Sequence, residues 1–195
     1  MMYSLPHFYL ITPNFTGDLS NYIACLERAL ESGVRLIQLR SKQLSKADYQ
    51  ALALEVLALV KAYNGYLVLN GSFELLSAVD AHGIHLPSVH YLKLKARPIK
   101  RNYLLSVACH NDAELIQAEA IHADIVTISP VFQTPSSPKS QLATLGWEAF
   151  STLATRTSLP VYALGGLSRE DYATAKKWGA YGIAAIRGLW NASAD

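Results

Sequence analysis

Eight short, apolar, β-favouring runs separated by stretches of helical periodicity limit what this chain can become more than any other feature. The runs are FYLIT (8–12), RLIQL (35–39), YLVLN (66–70), GIHL (83–86), YLLSVA (103–108), DIVTIS (124–129), PVYAL (160–164) and GIAAI (182–186). After the first, Asp18 or Ser20 can cap a helix in which Ile23, Leu26, Ala29 and Leu30 recur at helical spacing, and Gly33 supplies a stop. Ser45 with Asp48 forms a capping-box pattern before Leu52, Val56 and Leu59, and Asn111–Glu114 and Ser168–Asp171 repeat that pattern. A short helix at 73–80, a turn of helix near 88–95 and a helix at 146–156 fill most of the other gaps. Apolar runs without polar alternation belong to parallel strands covered on both faces. Eight strand–helix units of about 24 residues each, in a chain of 195, match a single small (β/α)₈ TIM barrel of class α/β spanning 1–195. The competing open, doubly wound sheet lacks its usual Gly-rich turn after the first strand. Only RGLWNASAD follows the eighth run, so the final helix is truncated. The eighth strand then leans on a partner subunit, or Trp190 packs as a terminal anchor.

Composition agrees with a buried sheet. Apolar residues make up 51% and charged residues 16%, against roughly 25% charged in a typical soluble domain. Such a surface can favour homo-oligomers. The net charge is +2, and the densest basic cluster, Lys93, Lys95, Arg97, Lys100 and Arg101, is broken by Pro98. It reads as a solvated loop rather than a nucleic-acid surface. Two cysteines, Cys25 and Cys109, show no pairing signature, and MMYSLPHFYL lacks the pattern of a signal peptide. The longest greasy segment, 51–60, is interrupted by Glu55 and is too short to span a bilayer. The expectation is a cytoplasmic protein with no nucleic-acid or membrane partner.

In such barrels function gathers at the C-terminal ends of the strands, with phosphate commonly held after strands seven and eight. Gly165-Gly166 and Arg187-Gly188 stand at those two places. Glycines let backbone N–H groups approach phosphate oxygens, and Arg187 can add a charge-assisted bond; alternatively the glycines only turn the chain. After strand two, Gln38 and Arg40 alternate with Leu39 and so share a side, with Lys42 just beyond. Their cationic groups suit an anionic ligand, and Asn70 at the end of strand three can donate and accept hydrogen bonds. His85, His90 and His110 fall on the same side, at spacings that match no compact metal motif. His110 can take and return a proton near neutral pH, or it simply starts a helix beside Asn111.

Taken with GVRLIQLRSK (33–42), LVLNG (67–71), GIHLPS (83–88), SVACH (106–110) and SPVFQTPSSP (129–138), these residues are similar to the thiamin phosphate synthase and TenI-type thiazole tautomerase family. PVYALGGL (160–167) and GIAAIRGLW (182–190) extend the resemblance over nearly the whole chain, which looks closest to the barrel found fused to Nudix domains. The resemblance implies a thiazole phosphate held at Gly165, Gly166, Arg187 and Gly188. In relatives a serine whose backbone N–H binds phosphate stands where Arg187 does. Substrate contacts are implied at Gln38, Arg40, Lys42, Asn70 and Thr134, and a general acid/base at His110. Synthases of this family join a pyrimidine diphosphate to a thiazole phosphate with Mg²⁺ in place. Their pattern has an Asp and an Arg where this chain has Gly71 and Ser72, and a second acidic ligand after His-Leu, where this chain runs Pro87, Ser88, Val89, His90. Ala108 replaces a serine, and Ser137 a basic residue, with Lys139 nearby. Mg²⁺ asks for hard oxygen ligands, so these departures, with Asn70-Gly71 and Leu86-Pro87-Ser88, resemble the TenI-type branch. That branch aromatises a thiazole carboxylate phosphate by proton transfer without a metal. The expectation is a TenI-like tautomerase with no cofactor. The alternatives are a synthase, which would need Mg²⁺, and a non-catalytic phosphate-ligand-binding or regulatory barrel.

Overall fold

A computed structural model describes residues 5–71, 73–133 and 143–190. Eight strands, β1 (Phe8–Ile11), β2 (Leu36–Leu39), β3 (Tyr66–Leu69), β4 (Gly83–Leu86), β5 (Leu104–Cys109), β6 (Ile125–Ile128), β7 (Val161–Leu164) and β8 (Gly182–Ala185), alternate with helices. These are α1 (Leu19–Glu31), α2 (Lys46–Ala62), α3 (Phe73–Val79), α4 (Ser88–Tyr91), α5 (Asp112–Ala120), α6 (Gly146–Ala154), α7 (Tyr172–Lys177) and α8 (Arg187–Trp190). Each strand pairs in parallel with its sequence neighbour, and β8 closes on β1 with Phe8 opposite Ile183. The closed parallel barrel puts every strand's C-terminal end at one mouth. The open-sheet alternative is excluded.

The caps fall where short polar side chains compete for first-turn N–H groups. Asp18, not Ser20, caps α1, its Oδ1 accepting from the N–H of Asn21 at 3.0 Å. Ser45 caps α2, but the Asp48 carboxylate takes the Ser45 hydroxyl at 2.7 Å, and only Ser45 Oγ bonds backbone. A full capping box forms at Ser168–Asp171, opening a short 3₁₀ turn (Arg169–Asp171) ahead of α7. Asn111 caps α5 through the N–H of Glu114 at 3.0 Å.

The strands bury two different faces. Leu10, Ile37, Leu39, Leu67, Leu69, Ile84, Leu105, Val107, Val126, Ala163 and Ile183 point outward into one apolar layer beneath the helices. Tyr9, Ile11, Leu36, Val68, Leu104, Ile125, Tyr162 and Ala184 form a second, interior cluster. The last helix is described over Arg187–Trp190. Trp190 settles its role as an anchor: its ring lies 4.8 Å from that of Tyr22 in α1, and every residue of β8 is buried within the chain. No helix among the described residues is long and apolar enough to cross a membrane.

Candidate functional site at the barrel mouth

The turns after β7 and β8 come together. Ser168 and Gly188 form a parallel bridge, joining the two segments expected to hold phosphate. Gly165 and Gly166 have φ of +117° and +67°, conformations that side chains with a Cβ rarely take. At Gly188 the constraint is space: a Cβ would lie 2.4 Å from the Leu167 carbonyl oxygen and 2.7 Å from Ser168 Cα. These glycines therefore allow both a sharp turn and a close approach. Arg187 is exposed at the start of α8, with no ion-pair or hydrogen-bond partner among the described residues.

On the far side of β1 from β8, Arg40 follows β2, half-buried, its backbone N–H donating to Thr12 Oγ1 at 3.0 Å. Lys42 is exposed in the turn beyond, its N–H reaching Asn14 Oδ1 at 3.4 Å. Gln38 points inward as its alternation with Leu39 predicts, yet its amide is taken up by protein. Its Nε2 donates to the Tyr9 hydroxyl at 3.0 Å, and its Oε1 accepts from Asn70 Nδ2 at 2.9 Å. The Tyr9 hydroxyl donates onward to Ser106 Oγ at 3.3 Å, and Ser106 Oγ lies 2.8 Å from His85 Nδ1. Burial pushes the Tyr9 hydroxyl up to about 12. It also pushes His85 down to about 3, with the positive charge of Arg40 adding to the effect, so the ring is neutral. Thr127, fully buried on the inward side of β6, has a hydroxyl without a partner among the described residues.

His110, immediately after β5, is held at both ends. Its backbone N–H donates to Glu114 Oε2 at 2.7 Å, and its Nδ1 lies 2.6 Å from the Ser129 carbonyl oxygen. A carbonyl can only accept, so Nδ1 carries the proton in the neutral ring and Nε2 keeps its lone pair. Ser129 precedes a cis peptide bond to Pro130. Sequence reasoning found His110 but missed Glu114 as its tether, because the α5 cap explained Glu114 already. Tyr9, Ser106 and Thr127 were missed as well. The available signal was polar residues at inward positions of otherwise apolar strands.

His85, His90 and His110 do not assemble. His85 is interior, His90 exposed on α4, and His110 is tied to Ser129. No group of three or more His, Cys, Asp or Glu among the described residues could hold a metal ion. Gly71 follows Asn70, and Pro87 and Ser88 follow Leu86, so neither position offers the carboxylate that Mg²⁺ coordination asks for. The described residues do not fit a resident Mg²⁺. Thr134, Ser72, Ser137 and Lys139 lie outside the described residues.

Comparison with known proteins places residues 8–189 within the family model TMP-TENI, thiamine monophosphate synthase. A protein of Aquifex aeolicus named "Putative thiamine-phosphate synthase 2" is 36% identical over 182 residues, covering 93% of this chain and 96% of its own length. A thiamine-phosphate synthase of Fusobacterium nucleatum is 28% identical over 182 residues, covering 93% of this chain and 87% of its own. Among solved structures, a thiamine phosphate pyrophosphorylase from Pyrococcus furiosus superposes with a TM-score of 0.77 at 24% identity, covering 95% of this chain and 87% of that one.

Proposed function

Since the chain belongs to the thiamine monophosphate synthase family, we propose that its barrel mouth binds a thiazole phosphate, with the phosphate in the joined β7 and β8 turns. The observation that carries this reading is the Ser168–Gly188 bridge, which joins the segment after β7, bearing Gly165 and Gly166, to the segment after β8, bearing Arg187 and Gly188. Backbone N–H groups there and the Arg187 guanidinium supply donors for one phosphate. Arg40 and Lys42 lend positive charge from the end of β2, one strand removed from β8.

Two activities suit such a pocket. The names of the curated relatives favour the first, thiamine-phosphate synthesis by joining a pyrimidine diphosphate to the thiazole phosphate, over the tautomerase expected from sequence. Diphosphate departure would then rely on the cations Arg40, Lys42 and Arg187, since the described residues provide no carboxylate set for Mg²⁺. The second, TenI-type proton transfer, is favoured by His110. Its Nδ1–H is anchored on the Ser129 carbonyl, and Nε2 is left to take a proton from the unaromatised thiazole and return it.

Two assays separate them. Purified protein is given both synthase substrates with Mg²⁺ or with EDTA, and separately the unaromatised thiazole carboxylate phosphate. Thiamine phosphate formation from the two synthase substrates establishes the first activity, and persistence of that formation in EDTA is expected if the cations alone stabilise the leaving diphosphate. Metal-independent aromatisation, falling about 10²–10⁴-fold in His110→Ala, establishes the second. Calorimetry with thiazole phosphate tests the pocket itself: no binding overturns both readings, and binding without turnover points to a non-catalytic barrel. Arg187→Ala should weaken phosphate binding by about 1.5–3 kcal/mol; an unchanged Kd would leave the backbone alone as the holder.

A further inference from the structure

Five polar side chains cross the barrel interior in a line: Asn70 after β3, Gln38 on β2, Tyr9 on β1, Ser106 on β5 and His85 on β4. Their donors and acceptors follow one another. Asn70 Nδ2 donates to Gln38 Oε1, which turns the Gln38 amide so that Nε2 donates to the Tyr9 oxygen. With its oxygen accepting there, Tyr9 has one remaining partner for its own proton, Ser106 Oγ at 3.3 Å. Ser106 accepts that proton and has one partner for its own, His85 Nδ1 at 2.8 Å. Tyr9 and Ser106 are 0% exposed, Gln38 1% and His85 6%. Buried polar groups carry a high cost when a donor is left unmade. Reversing any single link strands a proton inside the barrel, so the line is set as a whole.

We infer that this line runs in one direction, from Asn70 to His85, and fixes His85 as an Nε2–H donor beneath the barrel mouth, with Tyr9 and Ser106 as its positioning residues. Nδ1, accepting from Ser106, is bare, and the neutral ring carries its proton on Nε2. No described residue takes that Nε2–H in a hydrogen bond. It is a donor available to an acceptor-bearing group of a ligand, such as a ring nitrogen or a carboxylate, and it cannot act as a base. His110 has the opposite tautomer, Nδ1–H fixed and Nε2 bare. The mouth thus presents one histidine that gives a hydrogen bond and one that can take a proton. The ligand-facing role of His85 rests on the pocket reading above, whereas the tautomer does not.

The test is long-range ¹H–¹⁵N correlation of the histidine rings in the whole protein, free of ligand, at neutral pH. His85 in the wild type is expected to show a protonated Nε2 and an unprotonated Nδ1. Ser106→Ala removes the link and should leave both tautomers populated. Asn70→Asp is the sharper variant. A carboxylate can only accept, so Gln38 turns to donate to it, Tyr9 then donates to Gln38 Oε1, and the reversal moves the His85 proton to Nδ1. A wild-type ring protonated at Nδ1, or a His85 tautomer unchanged in Asn70→Asp, overturns the inference. Backbone amide dispersion in the same samples checks that each variant is folded, and the wild-type spectrum decides even where a variant is not. Absence of thiazole phosphate binding in calorimetry would refute the pocket reading and leave this readout untouched.

Discussion

The same eight strands present two faces that have little in common. Outward, toward the helices, the positions are Leu, Ile, Val and Ala, fully apolar and closely covered. Inward, the mouth-side positions include Gln38 and Ser106, tied to the Tyr9 hydroxyl, His85, tied to Ser106, and Thr127, whose hydroxyl has no partner among the described residues. A face buried against helices can be filled with any side chain of fitting volume. A face that floors a ligand pocket must supply donors and acceptors, and each of those needs a partner or a ligand. The outer face holds the barrel together, and the inner one carries a hydrogen-bonded polar line at its upper end.

The largest expected effect is on the outer face. Leu67→Ala, at a position with 0% exposure, should lose about 2–5 kcal/mol in urea unfolding while leaving the His85 tautomer unchanged. A loss near zero would mean that the layer beneath the helices collapses around the gap. On the inner face Tyr9→Phe keeps the ring but strands the Gln38 amide and the Ser106 hydroxyl, for about 1–3 kcal/mol. Equal losses at the two faces would mean that they do not differ energetically.

Acid sharpens the comparison further. His85 is pushed down to about 3 in the folded protein, against about 6.5 for an unperturbed histidine. The unfolded chain therefore binds a proton that the folded one refuses. Stability is full above the unfolded value and falls below it by roughly 1.4 kcal/mol per pH unit, down to the folded value. His85→Gln should flatten that slope in unfolding curves taken between those limits, and an unchanged slope would assign it to other groups. The smallest effect is expected at the exposed rim: Lys46→Ala, whose ion pair with Glu74 is solvent-exposed on both sides, should change stability by less than about 1 kcal/mol.

Much of this was legible from one chain of letters. All eight strands fall within a residue or so of the apolar runs, because short apolar runs alternating with capped helical stretches are the pattern of parallel strands covered on both faces. The caps at Asp18, Ser45, Asn111 and Ser168 follow from local competition for first-turn N–H groups. Gly165-Gly166 and Arg187-Gly188 could be placed at one mouth as soon as the barrel was recognised. Ser106 was readable too, as the polar residue inside YLLSVA, but nothing nearby in sequence names its partners.

Local pattern settled the order of elements and their caps, since each depends on residues within a few positions of one another. Barrel closure settled the rest. It brought Ser168 against Gly188, Gln38 against Tyr9 and Asn70, and Ser106 between Tyr9 and His85, groups 20 to 97 residues apart in sequence. Hydrogen-bond direction and histidine tautomer depend on which groups end up within about 3 Å of each other, and that is a property of the folded interior that no stretch of the chain carries.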